Sequence, residues 1–281
     1  MDRGFEDSMD RRLDGSKALK RLVDLLKDMK LKIRCMAVFA MILSALGCTA
    51  QDSKAGDSID GDSYTTANGM DISVSCIKHG SVKMRIGDRW VYVDPVTAAV
   101  PPVTDYSGMP KADIILITHE HQDHLDSVAI RQLSKASTMV ITNQRCSELL
   151  GGKGKVMKNG DRTEVFGGIS IEAVPAYNSS ADKMQFHPKG RDNGYVLTAD
   201  GFRIYIAGDT EDIEEMKVIK DIDVAFLPCN LPFTMSPEQL LNVARTIKSK
   251  VLYPYHLGQT DMQKVRDLFS GDKTLRVFKR H

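Results

Sequence analysis

His119, His121 and His124 fall within six positions, with Glu120 and Asp123 between them, in Thr118-His119-Glu120-His121-Gln122-Asp123-His124. A neutral imidazole nitrogen is the commonest protein metal ligand, and a nearby carboxylate suits borderline or hard divalent ions. The run follows directly on Ile114-Ile115-Leu116-Ile117, a nearly continuous apolar stretch that reads as a strand buried on both faces. The ionisable groups therefore emerge at a strand end. His119 and His121 stand two apart on extended chain and can face one side. Asp123 and His124 follow where the chain turns toward a helix, and can face a second ion. A helical H-E-x-x-H protease site is excluded, because position 123 is Asp. The chemistry indicated is that of a metalloenzyme.

Other strand ends carry further candidates. Residues 202–206 lead into Ala207-Gly208-Asp209-Thr210, where Asp209 is placed either to bridge two ions or to cap a helix over residues 211–218. Residues 251–253 lead into Pro254-Tyr255-His256, where His256 is a ligand or a satisfied surface residue. His79, on an early turn before Gly80-Ser81, faces the cleft or caps a hairpin. Lys189, Arg191 and Asn193 are candidates to bind an anionic substrate group, or are solvated loop residues, and Asn230 could approach a substrate. Trp90 reads as core. Cys76, Cys146 and Cys229 form no C-x-x-C pair and read as small buried hydrophobes.

The elements that must hold these groups alternate between strand and helix. Residues 72–77, 82–86 and 90–93 read as consecutive strands with turns at His79-Gly80-Ser81 and Gly87-Asp88. After the strand over 114–118 come a helix over 126–133 and a strand over 138–142. A second strand-rich block covers 163–165, 169–174, 194–198 and 202–206, followed by a buried strand over 224–227. Ser236-Pro237-Glu238-Gln239 marks a helix start, with Ser at the cap, Pro at the first position and Gln three after the Ser. That helix runs to about Lys248. Strands over 251–253 and 275–278 flank a last helix over 261–269. Two strand-rich blocks, each followed by strand–helix units, suggest an α/β chain folded as a four-layer αββα sandwich.

Residues 1–47 read as lying outside the fold. Lys30, Lys32 and Arg34 precede an apolar stretch from Cys35 to Gly47, which ends at Cys48. A basic region, a short apolar region and small residues at a cut site make a secretory signal over about 29–47. Ala45-Leu46-Gly47-Cys48 resembles a bacterial lipobox with Ala in place of the usual Leu; an ordinary signal peptide is the alternative. Upstream, residues 1–28 are either an amphipathic helix or untranslated sequence before a start at Met29. Residues 48–69, rich in Asp, Ser, Gly and Thr, read as a solvated tether. The expected location is the periplasm or cell envelope, with membrane contact only through an N-terminal lipid. The catalytic body is then residues 70–281. Without residues 1–47 the chain carries 28 Lys and Arg against 30 Asp and Glu, which argues against a polyanionic partner such as nucleic acid and for a small-molecule substrate.

Taken together, His119, His121, Asp123 and His124, with Asp209 in Gly208-Asp209-Thr210, His256 and the Val93-Asp94-Pro95 step, resemble the metallo-β-lactamase superfamily across residues 72 to about 278. Phe233-Thr234-Met235-Ser236-Pro237-Glu238 and Tyr253-Pro254-Tyr255-His256 are similar to the branch that includes ascorbate-6-phosphate lactonase. The resemblance implies the superfamily's αββα fold and two divalent ions, usually zinc, with manganese or iron in some branches. It implies His119 and His121 on one ion, Asp123, His124 and His256 on the other, and Asp209 bridging. It also implies a metal-bound hydroxide as nucleophile, with Asp123 and Asp209 central to catalysis. Asp94 would accept a hydrogen bond from a ligand His and fix its orientation.

The first ion normally takes a third His after the strand that ends here at Val174. This chain reads Pro175-Ala176-Tyr177-Asn178-Ser179-Ser180 instead. Three readings remain: His187 reaches back across a loop, Asn178 donates a weak oxygen ligand, or the first site is loose or empty. The leading function is hydrolysis of an ester, lactone, phosphodiester or amide. A non-catalytic ligand-binding lipoprotein and a true β-lactamase are the alternatives.

Overall fold

A computed structural model describes residues 61–271. The signal-like segment, the lipobox and the strand expected over 275–278 lie outside the described residues. The first sheet has seven strands in sequential order: β1 (Asp62–Thr65), β2 (Asp71–Lys78), β3 (Ser81–Ile86), β4 (Arg89–Val93), β5 (Ile114–Leu116), β6 (Met139–Thr142) and β7 (Lys155–Val156). β1 to β4 pair antiparallel, and β4 to β7 pair parallel. The second sheet has six strands, in the order β13-β12-β11-β10-β9-β8. These are β8 (Arg162–Val165), β9 (Ile169–Ala176), β10 (Asp192–Ala199), β11 (Phe202–Ile206), β12 (Val224–Pro228) and β13 (Val251–Tyr255). β8 to β11 are antiparallel, and β11, β12 and β13 are parallel.

Strand alternation divides the core into layers. Between the sheets, Val74, Val93 and Leu116 from the first meet Ile171, Leu197, Ile206 and Phe226 from the second. On the outer face of the first sheet, Tyr92, Ile115 and Ile117 pack against Ala129, Ile130 and Leu133 of α1 (Ser127–Leu133). On the outer face of the second, Val196, Tyr205, Ala225 and Leu252 pack against α3 (Pro237–Ile247) and α4 (Met262–Phe269). β5 is apolar throughout because Ile114 and Leu116 point inward while Ile115 points to α1. This is the four-layer αββα sandwich expected from the sequence.

The caps follow the side-chain chemistry. Asp126 accepts hydrogen bonds from Val128 N and Ala129 N at the start of α1. Ser236 and Gln239 form a reciprocal capping box at α3, with Pro237 in its first turn. Two expectations change. Asp62–Thr65, within the stretch read as tether, pairs as edge strand β1 with β2; its polar residues hide it because only one side of an edge strand packs. In place of a helix over 211–218 there is a short 3₁₀ turn at Glu214–Val218, entered through Ile213 with no side-chain cap. A further short helix, α2 (Gln144–Leu149), follows β6 and is capped by Asn143.

Candidate metal centre

The candidate residues sit where strands of both sheets end. His79 follows β2, Asp94 follows β4, and the run from His119 to His124 follows β5. Asp209 follows β11 and His256 follows β13. His187 lies on the long connection between β9 and β10. Most of these are carboxyl ends of parallel strands, the usual place for a site in an open α/β sheet.

The side chains form two groups about one carboxylate. His119, His121 and His187 bring ring nitrogens within 4.8 Å of one another. Ring centroids of His187 lie 5.1 Å from His119 and 4.9 Å from His121. His79, Asp123, His124 and His256 form the second group. Asp209 stands between them: its Oδ2 is 3.4 Å from His187 Nε2 and 3.1 Å from His256 Nε2, and its Oδ1 is 3.5 Å from His124 Nε2. The structure thus brings His187 to the pair that lacked a third imidazole. Asn178 instead donates from Nδ2 to Phe233 O (2.8 Å) and Lys183 O (3.2 Å), tying down the loop that carries His187.

The donor set fits a divalent ion on its own unsatisfied valence. His124 Nε2, both ring nitrogens of His187, Asp209 Oδ1 and His256 Nε2 are buried and make no hydrogen bond within the protein. Buried polar atoms are ordinarily partnered. An unpartnered set of imidazole nitrogens converging on a carboxylate is what a cation would satisfy.

Electrostatics point the same way. Burial pushes His119 well below the ordinary imidazole range, aided by the charge of His124. Burial also opposes charge on His124, but Asp209 and Asp94 outweigh it and hold it well above that range. His256 is raised to about 9 against its burial, by Asp209 and Asp123. Asp209 stays ionised despite its burial because His256 and His124 surround it. The carboxylates therefore call for positive charge at this spot, and imidazolium supplies it where no metal does.

The local backbone is built for close approach. His79, Asp94 and His256 all adopt left-handed conformations, with φ of 44°, 42° and 50°. Such conformations cost energy outside glycine and cluster at functional sites. Gly80 is required because a Cβ there would come within 2.6 Å of His124 Cε1. Gly208, at φ +69°, leaves room beside Asn193 O and Thr118, and so sets the position of Asp209.

A surrounding shell fixes the ligand-bearing segments. Asp94 accepts hydrogen bonds from Thr118 N (2.8 Å) and Thr118 Oγ1 (2.6 Å), and lies 2.8 Å from His124 Nδ1. Glu211 accepts from Ser179 N (2.9 Å), Ser180 N (2.7 Å) and Lys183 Nζ (2.7 Å), which binds the His187 loop to the end of β11. Arg191 pairs with Glu120 at 2.9 Å, linking the His119–His121 segment to the start of β10.

A cavity of about 260 Å³ opens over the centre, lined by His121, Asp123, His187, Asn230, Phe186 and Phe233 among others. Asn230 is thus where a substrate contact was expected. Lys189 and Arg191, candidates for substrate binding, do not line it. Lys189 Nζ is 2.8 Å from Glu215 Oε1, and the Arg191 guanidinium is held by Asp192, Glu120 and Phe186 O. Asn193 is buried and donates to Met157 O. His79 faces the centre, its Nε2 2.9 Å from Asp123 Oδ2. Its signal in the sequence was a lone His at a tight turn, which is equally at home on a hairpin. Glu211 gave no signal, because its partners lie some thirty residues away.

A profile of the β-lactamase superfamily domain matches residues 73–256. A protein of Thermococcus onnurineus named as a metal-dependent hydrolase is 31% identical over 192 residues, covering 66% of this chain and 84% of that one. Another so named, from Anoxybacillus flavithermus, is 30% identical over 217 residues, covering 71% and 94%. A crystal structure from Parabacteroides distasonis, described as a metal-dependent hydrolase, superposes with a TM-score of 0.73 at 48% identity, covering 79% of this chain and 99% of that one. These relatives are named for metal-dependent hydrolysis and for no substrate. The profile match, these relatives and the two-sheet fold establish that the chain belongs to the metallo-β-lactamase superfamily of metal-dependent hydrolases.

Proposed function

We propose that this domain hydrolyses a small ester, lactone, phosphodiester or amide at a paired divalent-metal centre. His119, His121 and His187 would hold one ion. His124, His256 and Asp123, with His79 beside them, would hold the second, and Asp209 would face both. The observation that carries this reading is that the buried, unpartnered Nε2 atoms of His124, His187 and His256 lie 3.5, 3.4 and 3.1 Å from the Asp209 carboxylate, which stands between the two groups. Mixed imidazole and carboxylate donors suit zinc first, and manganese or iron as well.

A divalent ion bound there would lower the pKa of a coordinated water toward neutrality and polarise the substrate oxygen. The protein's own part is positional. Asp94 holds His124 through Nδ1, leaving Nε2 turned to Asp209. Asp123 is about one-third exposed and lines the cavity; burial opposes its charge, but His256 and His79 hold its carboxyl well below the usual range, so it keeps a negative charge beside the imidazoles of the second group. Asp209, almost fully buried, keeps its charge at the centre.

The test is turnover by chelator-stripped protein and by protein reloaded with zinc or manganese, on matched aryl ester, lactone, phosphodiester, anilide and β-lactam substrates. The reading expects metal-restored hydrolysis of at least one of the first four. Filled sites with no turnover would favour a ligand-binding protein, and preference for the β-lactam would favour a β-lactamase.

A further inference from the structure

The cavity over the centre has a chemical character of its own. Phe186, on the His187 loop, and Phe233, on the segment after β12, meet edge to face with centroids 5.0 Å apart and planes at 72°. Both line the cavity, together with the imidazoles of His79, His121, His187 and His256. Phe233 is 41% exposed, and Met184 and Leu231 on the same two segments are 48% and 52% exposed, although such side chains are usually covered. Asn230 adds one uncharged polar group, with its Nδ2 3.4 Å from His256 Nδ1.

Among the described residues lining this cavity there is no Lys or Arg. Four cations stand nearby, and each is committed elsewhere. Lys78, beside the adjoining cavity behind His79 and His256, directs Nζ to Thr97 O (2.7 Å), Val100 O (2.7 Å) and Pro102 O (2.8 Å), which uses all three of its hydrogens. Lys183 is bound by Glu211 and Lys189 by Glu215, each on a carboxylate oxygen. Arg191 lies between Asp192 and Glu120. An anionic group placed away from the metal-facing end of a substrate would find no lysine or arginine here. It would meet two phenyl rings, and Asp123 close by.

From this we infer that the substrate is compact and carries an uncharged apolar or aryl group, seated on Phe186 and Phe233, on the side of the molecule away from the bond to be cleaved. The inference rests on the hydrolase reading for the reaction but not for the ligand preference, which binding alone can measure. At about 260 Å³ the cavity is at or below the lower end of ordinary small-molecule sites, which fits a ring or a short acyl chain. Nor does the lining hold a Lys or Arg to receive the phosphate of a phosphorylated sugar.

The test uses zinc-loaded full-length protein and hydroxamates, whose chelating end reports the metal centre. Acetohydroxamate, 4-methylbenzohydroxamate and 4-carboxybenzohydroxamate are compared by calorimetry. The methyl compound is expected to bind about tenfold tighter than either of the others. Phe233→Ala is expected to remove the advantage over acetohydroxamate and to leave acetohydroxamate affinity and zinc content where they were. Equal or tighter binding of the carboxylate, or an aryl advantage that survives Phe233→Ala, would overturn the inference. Should the aryl preference hold while no ester, lactone, phosphodiester or amide is turned over, the hydrolase reading fails and the ligand class stands.

Discussion

The Nδ1 of His124 lies 2.8 Å from Oδ2 of Asp94, and neither side chain has exposed surface. The same carboxylate receives both the N–H and the hydroxyl of Thr118, which precedes His119. One aspartate at the end of β4 therefore holds His124 directly and reaches His119 through the Thr118 hydroxyl, which lies 2.9 Å from His119 Nδ1. It fixes the His124 tautomer with the hydrogen on Nδ1, so that Nε2 is free to bind an ion.

Asp94→Asn places an amide hydrogen where an acceptor is needed, whichever way the amide turns. The left-handed backbone at φ 42° tolerates Asn, so the chain should still fold. Zinc affinity is expected to fall about 10–100-fold. Competition against a chromogenic chelator measures it, and wild-type affinity would remove Asp94 from its orienting role.

His187→Ala deletes the third imidazole beside His119 and His121. Bound metal is expected to drop by about one ion per chain, with hydrolysis down at least tenfold. Elemental analysis of purified variant and wild type checks this. Unchanged stoichiometry and activity would show that the loop carrying His187 plays no part.

Glu211→Gln tests whether that loop is held from the end of β11. The carboxylate is buried and lowered to about 2; burial opposes its charge, but Lys183 and Ser180 more than compensate. Gln keeps one acceptor and loses the charge, at a cost of about 1–3 kcal/mol in stability. Hydrogen exchange at Ser179 and Ser180 is expected to speed up, and metal affinity at the His187 side to fall. Unaltered exchange at those two amides would contradict the clamp.

Acid stability has a separate source away from the centre. Asp113, just before β5, accepts from Trp90 N at 2.9 Å and Lys135 Nζ at 2.7 Å. Burial alone would raise its pKa, but Lys135 and the Trp90 N–H bring it below the usual 3.8. A depressed carboxylate contributes stability that is present above its unfolded pKa and lost as pH falls through the folded one. Asp113→Asn should therefore unfold more easily at neutral pH than wild type. The gap should close below about pH 4. A constant gap down to pH 2 in urea titrations would count against this account.

Much of this was legible in the sequence, because strand ends announce themselves. A four-residue apolar run followed by His119, His121, Asp123 and His124 can hardly be anything but a buried strand opening on a polar site, and Asp209 and His256 repeat the pattern. The Ser236–Gln239 capping box was readable because its partners are three residues apart. What was hidden depends on long-range contact. Asp62–Thr65 becomes a strand only by pairing with β2. Lys189 and Arg191 looked like free cations until Glu215 and Glu120 arrived from other elements, with the neighbouring Asp192 turned onto Arg191 as well. His79 joins the centre only because the turn after β2 meets the end of β13, where His256 N donates to His79 O at 3.0 Å.

The most direct test of the paired centre is a zinc titration of chelator-stripped protein, with bound metal and hydrolysis followed together. The account predicts that hydrolysis is absent at the start and reaches its plateau as bound zinc approaches two per chain, while His256→Ala saturates at a lower value. Full hydrolysis by stripped protein, or a stripped protein that takes up no zinc, would contradict it.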